Sequence, residues 1–353
     1  MKEQSNIIGQ EATILVTGAS GFIGFRVVHN LIGRGFRHVK CFVRLSSDVK
    51  QLEVLAAQHP DCKIEIIRGN LLAKSDCVDA AQGVAVIFHM AAGTGEKSFP
   101  DAFMNSVVTT RNLLEAVRGQ EGFRRFVNVS SFAVYTNVGG KIRGLLDESS
   151  PVEQDWENIP DAYCFAKVKQ DMLVAEYGEK YGIPYVIVRP GAVYGPGKRG
   201  MTGRVGTDTF GLFLHFGGGN QLPLTYVDNC ADAIVLAGIT PGVDGEAFNI
   251  VDDDLPTSRT FLGLYKRHVQ GFTSLYVPHA VSYVLCRIWE WYSRWSEGQL
   301  PPAFNRRRWH VEIKRTRYSN EKLKSKLGWA PTISMEEGLK RFFQWCRETR
   351  ANA

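Results

Sequence analysis

Tyr163 and Lys167, in Asp161-Ala-Tyr163-Cys-Phe-Ala-Lys167, stand four residues apart and on a helix share one face. A phenol titrates at about pH 10, so it moves protons poorly at neutral pH unless a neighbouring cation stabilises its phenolate. Lys167 is placed to supply that cation, which would make Tyr163 a general acid/base for an alcohol or ketone oxygen. A third group should hold that oxygen. Ser130-Ser131-Phe-Ala-Val-Tyr135 follows the apolar run Arg125–Val129, and Ser131 is the expected oxygen-holding residue. A lone Tyr-x-x-x-Lys arises by chance in many helices, so the rest of the chain must support it.

Support comes from the amino-terminal end. Thr13-Ile-Leu-Val-Thr17 is a β-branched run that ends in Gly18-Ala-Ser20-Gly21-Phe22-Ile23-Gly24, and apolar residues then recur at helical spacing from Phe22 to Leu31. A strand, a glycine turn and a helix in that order form an anion cradle. Glycine permits the turn and a close backbone approach, and the helix N-terminus offers free N–H groups to a pyrophosphate. A nicotinamide dinucleotide is the expected ligand. Where an NAD site usually carries a carboxylate, this chain has Phe42-Val-Arg44-Leu-Ser-Ser47; Arg44 with Ser47 suits a 2′-phosphate, hence NADP in preference to NAD. Asn70, beside Leu71 after the third apolar run, could exchange hydrogen bonds with the adenine edge.

The elements that must position these residues alternate. Apolar runs at Val39–Val43, Lys63–Ile67, Val84–His89, Arg125–Val129 and Tyr185–Arg189 are separated by helical segments, as in βαβ units. The expected fold is α/β, a parallel sheet covered on both faces, with a second, smaller domain where the character of the chain changes after Pro190. Val277–Trp295 reads as an aromatic, apolar helix with one polar stripe. Its charges argue against a membrane span, and packing on the substrate domain is favoured over an interfacial membrane helix.

The 353 residues, 44% hydrophobic and 22% charged, describe a globular protein and exclude a fibrous or disordered chain. Net charge is +6, but six basic residues against the single acid Glu312 cluster between Arg306 and Arg317. One local cluster is not the long stripe that a duplex demands, so no nucleic-acid partner is expected. Seven scattered cysteines without a Cys-x-x-Cys pair, and a polar N-terminus, read as reduced thiols in a cytoplasmic protein with no metal site. Gly93–Ser98 lacks the spacing of a P-loop.

Together these residues resemble the extended short-chain dehydrogenase/reductase family, over nearly the whole chain. Further passages carry the likeness: His89-Met-Ala91-Ala92, Asn105 before Thr110–Ala116, Arg189-Pro190-Gly-Ala-Val193-Tyr-Gly-Pro196, Tyr226-Val-Asp-Asn229 and Leu327-Gly-Trp-Ala-Pro331. The resemblance implies a bound nicotinamide cofactor contacted by the glycine turn, Arg44, Ser47, Asn70, Leu71, Ala91, Ala92, Asn105, Val129, Tyr163, Lys167, Pro190 and Val193. It also implies a Rossmann, doubly wound parallel sheet over 12–190 to which 226–252 returns, a smaller substrate-binding domain from 191–225 and 253–345, a small-molecule substrate and a homodimer.

Within the family two branches compete. The Tyr226–Asn229 passage, the aromatic helix and Leu300-Pro-Pro-Ala-Phe304 look more like the 3β-hydroxysteroid and sterol dehydrogenases, whose substrates gain affinity by burying apolar surface. Arg308, Arg315 or Arg317 could instead clamp the diphosphate of a nucleotide sugar for an epimerase or dehydratase. A non-catalytic NADP sensor is the reading from another class; the intact Ser131, Tyr163 and Lys167 count against it.

Overall fold

The structure is a computed structural model and describes residues 6–92, 98–136, 144–154, 159, 161–198, 200–209, 211–296, 306, 309–310 and 316–351. The Gly93–Lys97 stretch, Leu300–Phe304, Arg308 and Arg315 lie outside the described residues.

Buried strands of a parallel sheet are covered on both faces and therefore read as continuous apolar runs. The runs expected from sequence form β1 (Thr13–Thr17), β2 (His38–Val43), β3 (Lys63–Arg68), β4 (Val86–His89), β5 (Arg125–Val129) and, after the short β6 (Leu145–Leu146), β7 (Tyr185–Pro190). With β12 (Ala247–Ile250) they build one seven-stranded sheet in the order β12-β7-β5-β4-β1-β2-β3, with every pairing parallel. This is the expected Rossmann-like α/β architecture. Strand order reverses beside β1, whose neighbours are β2 and β4. At such a switch point the crossover helices leave on opposite faces and open a crevice at the carboxyl ends of the strands.

Successive residues of these strands supply two separate cores. Val16, Phe88 and Val127 pack on one face with helices α1 (Phe22–Gly33) and α7 (Val227–Ile239). Leu15, Ile87 and Phe126 pack on the other, with α5 (Thr109–Val117) and α6 (Ala162–Tyr181). That alternation is the two-residue period of a strand expressed as packing. On the first face Asp232 of α7 accepts from Arg34 at 2.6 Å and from Asn30 of α1 at 3.1 Å.

Beyond β7 the chain makes small sheets. β8 (Ala192–Tyr194) pairs with β11 (Leu224–Tyr226), and β10 (Leu212–His215) lies between β9 (Gly206–Thr209) and β13 (Ser274–Tyr276). β14 (Arg317–Tyr318) pairs with β6. Asn229 on α7 ties in the carboxyl-terminal passage: its side chain accepts from the N–H groups of Thr332 and Ile333 and donates to the Ile333 carbonyl at 2.8 Å. All seven cysteines are free thiols.

Helix α9 (His279–Trp295) packs through a face that its sequence did not single out. It turns Ser282, Cys286 and Ser293 inward and leaves Val284, Ile288 and Trp291 exposed. The inward polar groups find partners in the 306–310 segment: Trp309 donates to Ser282 at 2.9 Å, and Glu290 accepts from the Arg306 guanidinium at 2.7 Å. Buried polar groups are tolerated only when hydrogen-bonded, so these contacts decide which face goes in.

Candidate active site

The glycine turn is shaped by close approach. Gly18 has φ +68°, in the left-handed region that glycine enters without penalty, and it lies against the backbone of Met90 and Ala91 at the end of β4. A Cβ on Gly24 would fall 2.0 Å from the Gly18 carbonyl oxygen, so only glycine lets α1 press onto β1. Helix α1 starts at Phe22 with no side-chain cap and no acid in its first turn. The N–H groups around Ser20, Phe22 and Ile23 are thus left facing the crevice end with the positive pole of the helix. This cradle fits the pyrophosphate of a dinucleotide.

Along β2 and β3 the adenosine end takes shape. Arg44 is exposed, and its guanidinium has no acceptor among the described residues; Ser47 closes the turn by donating its N–H to the Arg44 carbonyl at 3.0 Å. Arg68, at the end of β3, donates to the carbonyls of Leu45 and Ser47 at 2.9 and 3.2 Å and so holds that turn in place. Sequence reading did not single out Arg68; a basic residue closing the strand next to β2 was the available signal. Asn70 is exposed and uses its side-chain oxygen on the Leu72 N–H at 3.0 Å. Leu71 is buried, its carbonyl accepting from Asn112 at 2.9 Å.

At the catalytic end, Asp161 caps α6 by accepting from the Cys164 N–H at 3.0 Å. The cap sets Tyr163 in the first turn, half-buried, and Lys167 one turn deeper and buried. Ser131 follows β5 with an extended backbone and caps the short turn Phe132–Val134, and its hydroxyl draws the titration of the Tyr163 phenol downward. Lys167 donates to the Val129 carbonyl at 2.7 Å. The three expected catalytic residues therefore converge at the carboxyl edge of β5.

The electrostatics differ from the simplest expectation. Burial pushes the Tyr163 phenol above its ordinary value, while the Ser131 hydrogen bond pulls it down. Burial also lowers Lys167 to about 8, against the pull of Asp171.

Asp171, one turn beyond Lys167, was missed by sequence reading. It is buried, accepts from Asn128 at 3.0 Å, and pairs with Arg189 at 3.2 Å. Arg189 also donates to the Tyr135 hydroxyl at 3.1 Å, so β5, α6 and β7 are locked together under the site. The same contacts keep Asn128 fully buried. Cys164 is a packed thiol donating to the Ala133 carbonyl at 2.9 Å.

Some expected cofactor residues lie along the same sheet edge and others do not. Ala91 donates its N–H to Thr17 at 3.2 Å beside Gly18, with Ala92 next in the chain. Pro190 ends β7 next to Ile250. The Val193 carbonyl accepts from Lys198 at 3.2 Å, and that ammonium stands 5.9 Å from the Phe22 ring centre, a cation near the cradle that the sequence did not flag. Asn105 spends its amide on the Asp101 carbonyl at 2.9 Å within its own helical segment and is exposed, so it is not drawn into the cluster. His89 is fully buried between Thr17 and Thr110 at 2.8 and 2.9 Å; burial pushes it down to about 3, so it stays neutral and structural. Among the described residues no cluster of His, Cys, Asp and Glu could hold a metal ion.

A Rossmann sheet with a glycine cradle at its switch point and a Ser, Tyr and Lys group at the same edge defines a nicotinamide-dependent enzyme of the extended short-chain type. Residues 14–250 match the NAD dependent epimerase/dehydratase family, and the chain belongs to that family. It is 31% identical over 194 residues to cinnamoyl-CoA reductase 1 of Oryza sativa subsp. japonica, covering 54% of this chain and 56% of that protein. The chain spans about half the length of the first curated relatives it matches. It is 28% identical to the 2-alkyl-3-oxoalkanoate reductase of Stenotrophomonas maltophilia, covering 93% of this chain and 97% of that one. Among solved structures, the UDP-glucuronic acid 4-epimerase of Bacillus cereus with UDP-glucuronic acid and NAD shares the fold at TM-score 0.71, with 22% identity over 96% of this chain and 99% of that one.

Proposed function

We propose that the protein is an NADP-preferring oxidoreductase that interconverts a lipophilic secondary alcohol and its ketone. The observation that carries this reading is Arg44, an exposed cation without an acceptor among the described residues at the end of β2, where a retained NAD would call for a carboxylate. A reductant that is consumed and exchanged suits net reduction, whereas a retained NAD suits an epimerase.

Gly18, Gly21 and Gly24 would bring the α1 N-terminus to the pyrophosphate, and Arg44 with Ser47 would take the 2′-phosphate. Lys167 would hold the nicotinamide ribose. The bound nicotinamide supplies or accepts the hydride. Ser131 orients the substrate oxygen through its hydroxyl, and Tyr163 gives that oxygen its proton in reduction or takes it in oxidation. Lys167, held against Val129, stabilises the phenolate that results.

A second reading is a nucleotide-sugar epimerase or dehydratase, favoured by the family match and by the UDP-sugar named for the neighbouring structure. Of its candidate diphosphate clamps only Arg317 is described, exposed on β14 beside β6. Acid-quenched extraction of the freshly purified protein separates the two. Preparations free of nucleotide that then bind NADPH more tightly than NADH support the reductase; stoichiometric co-purified NAD overturns it. In this reading the enzyme works in the cytoplasm as a homodimer with a 12–190 cofactor domain, 226–252 returning to it, and a substrate domain from 191–225 and 253–345.

A further inference from the structure

Helix α9 is amphipathic in the inverted sense. Ser282, Cys286 and Ser293 point inward, at 1%, 1% and 6% exposure. Val281, Val284, Leu285, Ile288, Trp291 and Trp295 recur at three- and four-residue steps along the outside, with Ile288 55%, Trp291 67% and Trp295 69% exposed. A stripe of this kind on a globular protein marks something that covers it.

We infer that the outward face of α9 docks on an anionic lipid membrane, with the helix lying in the plane of the headgroups. Charge points to this occupant. The one acid of the helix, Glu290, is turned inward and neutralised by Arg306 at 2.7 Å. Arg287 is exposed at the margin of the stripe, three residues from Val284 and four from Trp291. Just before α9 in the chain, β13 presents Leu275 and Tyr276, both exposed, with the Arg259 guanidinium 5.6 Å from the Tyr276 ring centre. Apolar and Trp side chains bordered by cations, with no outward acid on the helix, match the interface of a negatively charged bilayer.

A second copy of the chain fits less well. The helix has 17 residues and is about 26 Å long, so a stripe about 10 Å wide offers roughly 260 Å² per partner against the roughly 800 Å² of a stable interface. Two such faces would also bring their arginines together. Among the described residues no helix is long and apolar enough to cross a membrane, so α9 lies on the surface rather than spanning it. The inference does not depend on the substrate assignment, because its readout is binding alone.

The test is flotation of the full chain with phosphatidylcholine vesicles, with or without about 30% phosphatidylserine. Partners are the double variant Ile288→Glu/Trp291→Glu and the single variant Arg287→Glu. Both alter outward side chains, and circular dichroism checks their fold. The expected result is flotation with the anionic vesicles, a blue shift of Trp emission, at least tenfold weaker binding for the double variant, and a loss confined to anionic vesicles for Arg287→Glu. Absence of wild-type binding, or equal binding by the double variant, overturns the inference. So does a wild-type dimer in sedimentation that the double variant breaks without any vesicle binding, which would assign the face to a second copy.

Discussion

Lys167 sends its ammonium to the Val129 carbonyl at 2.7 Å, from one turn below Tyr163 on the same helix. The contact fixes the cation at the end of β5, where Ser131 also emerges, so the strand holds two of the three groups proposed to act in catalysis in register with the third. In the proposed mechanism Tyr163 is the one whose loss removes the proton itself. Tyr163→Phe should lower kcat by about 10²–10⁴-fold while cofactor affinity changes less than about twofold. Single-turnover hydride transfer and cofactor titration by fluorescence check both halves.

Burial lowers Lys167 to about 8, which sets a pH dependence. Below that value the ammonium is present and supports the phenolate; as pH rises through it the charge is lost and the Tyr163 phenolate loses its support. For the free enzyme kcat/KM should bend downward above about pH 8. In Lys167→Arg, whose guanidinium does not titrate there, residual activity should show no such bend.

The expected cofactor preference rests on Arg44. Arg44→Ala should raise the KM for NADPH by about 10–100-fold, the worth of a charge-assisted hydrogen bond, and leave NADH unaffected. Arg68→Ala, which frees the turn held by the bonds to Leu45 and Ser47, should do the same more weakly. Steady-state kinetics with both cofactors decides.

Gly24→Ala places a methyl group 2.0 Å from the Gly18 carbonyl oxygen, so helix and strand must part. The expected cost is about 1–3 kcal/mol of stability, together with at least about tenfold weaker cofactor binding. Thermal unfolding with and without cofactor measures both.

Asp252 accepts from Thr225 at 3.1 Å, the Tyr226 N–H at 2.8 Å and Asn229 at 3.1 Å, yet burial raises it to about 6 from an ordinary 3.8. The folded state therefore takes up this proton at higher pH than the unfolded one. Its contribution to stability is fully present below about pH 4 and is lost as pH rises through about 6. Asp252→Asn should flatten the stability profile in that window, as seen in Tm against pH.

The glycine cradle and the sheet strands were legible in the sequence because their causes are local. A crowded turn demands glycine, and a strand buried on both faces demands a continuous apolar run. Ser131, Tyr163 and Lys167 were legible through spacing on a strand end and a helix. The Asp171–Arg189 pair was not: its members come from α6 and β7, and only the folded sheet brings them beneath the site. The direction of α9 was not legible either. Periodicity yields two faces, and the inward one was chosen by Trp309 and Arg306, supplied from further along the chain. Asn105 has the residue type of a ligand contact but spends its amide within its own helix.

In the proposed function Tyr163 carries net hydride transfer at a secondary alcohol or ketone by moving the hydroxyl proton. The most direct test of that claim follows nicotinamide absorbance with NADPH or NADH on a panel of steroid and acyl ketones and nucleotide sugars, with Tyr163→Phe beside the wild type. Stoichiometric, Tyr163-dependent oxidation of NADPH with a lipophilic ketone is the expected result. No net absorbance change, accompanied by conversion of a nucleotide sugar, would contradict the claim and make the protein an epimerase or dehydratase.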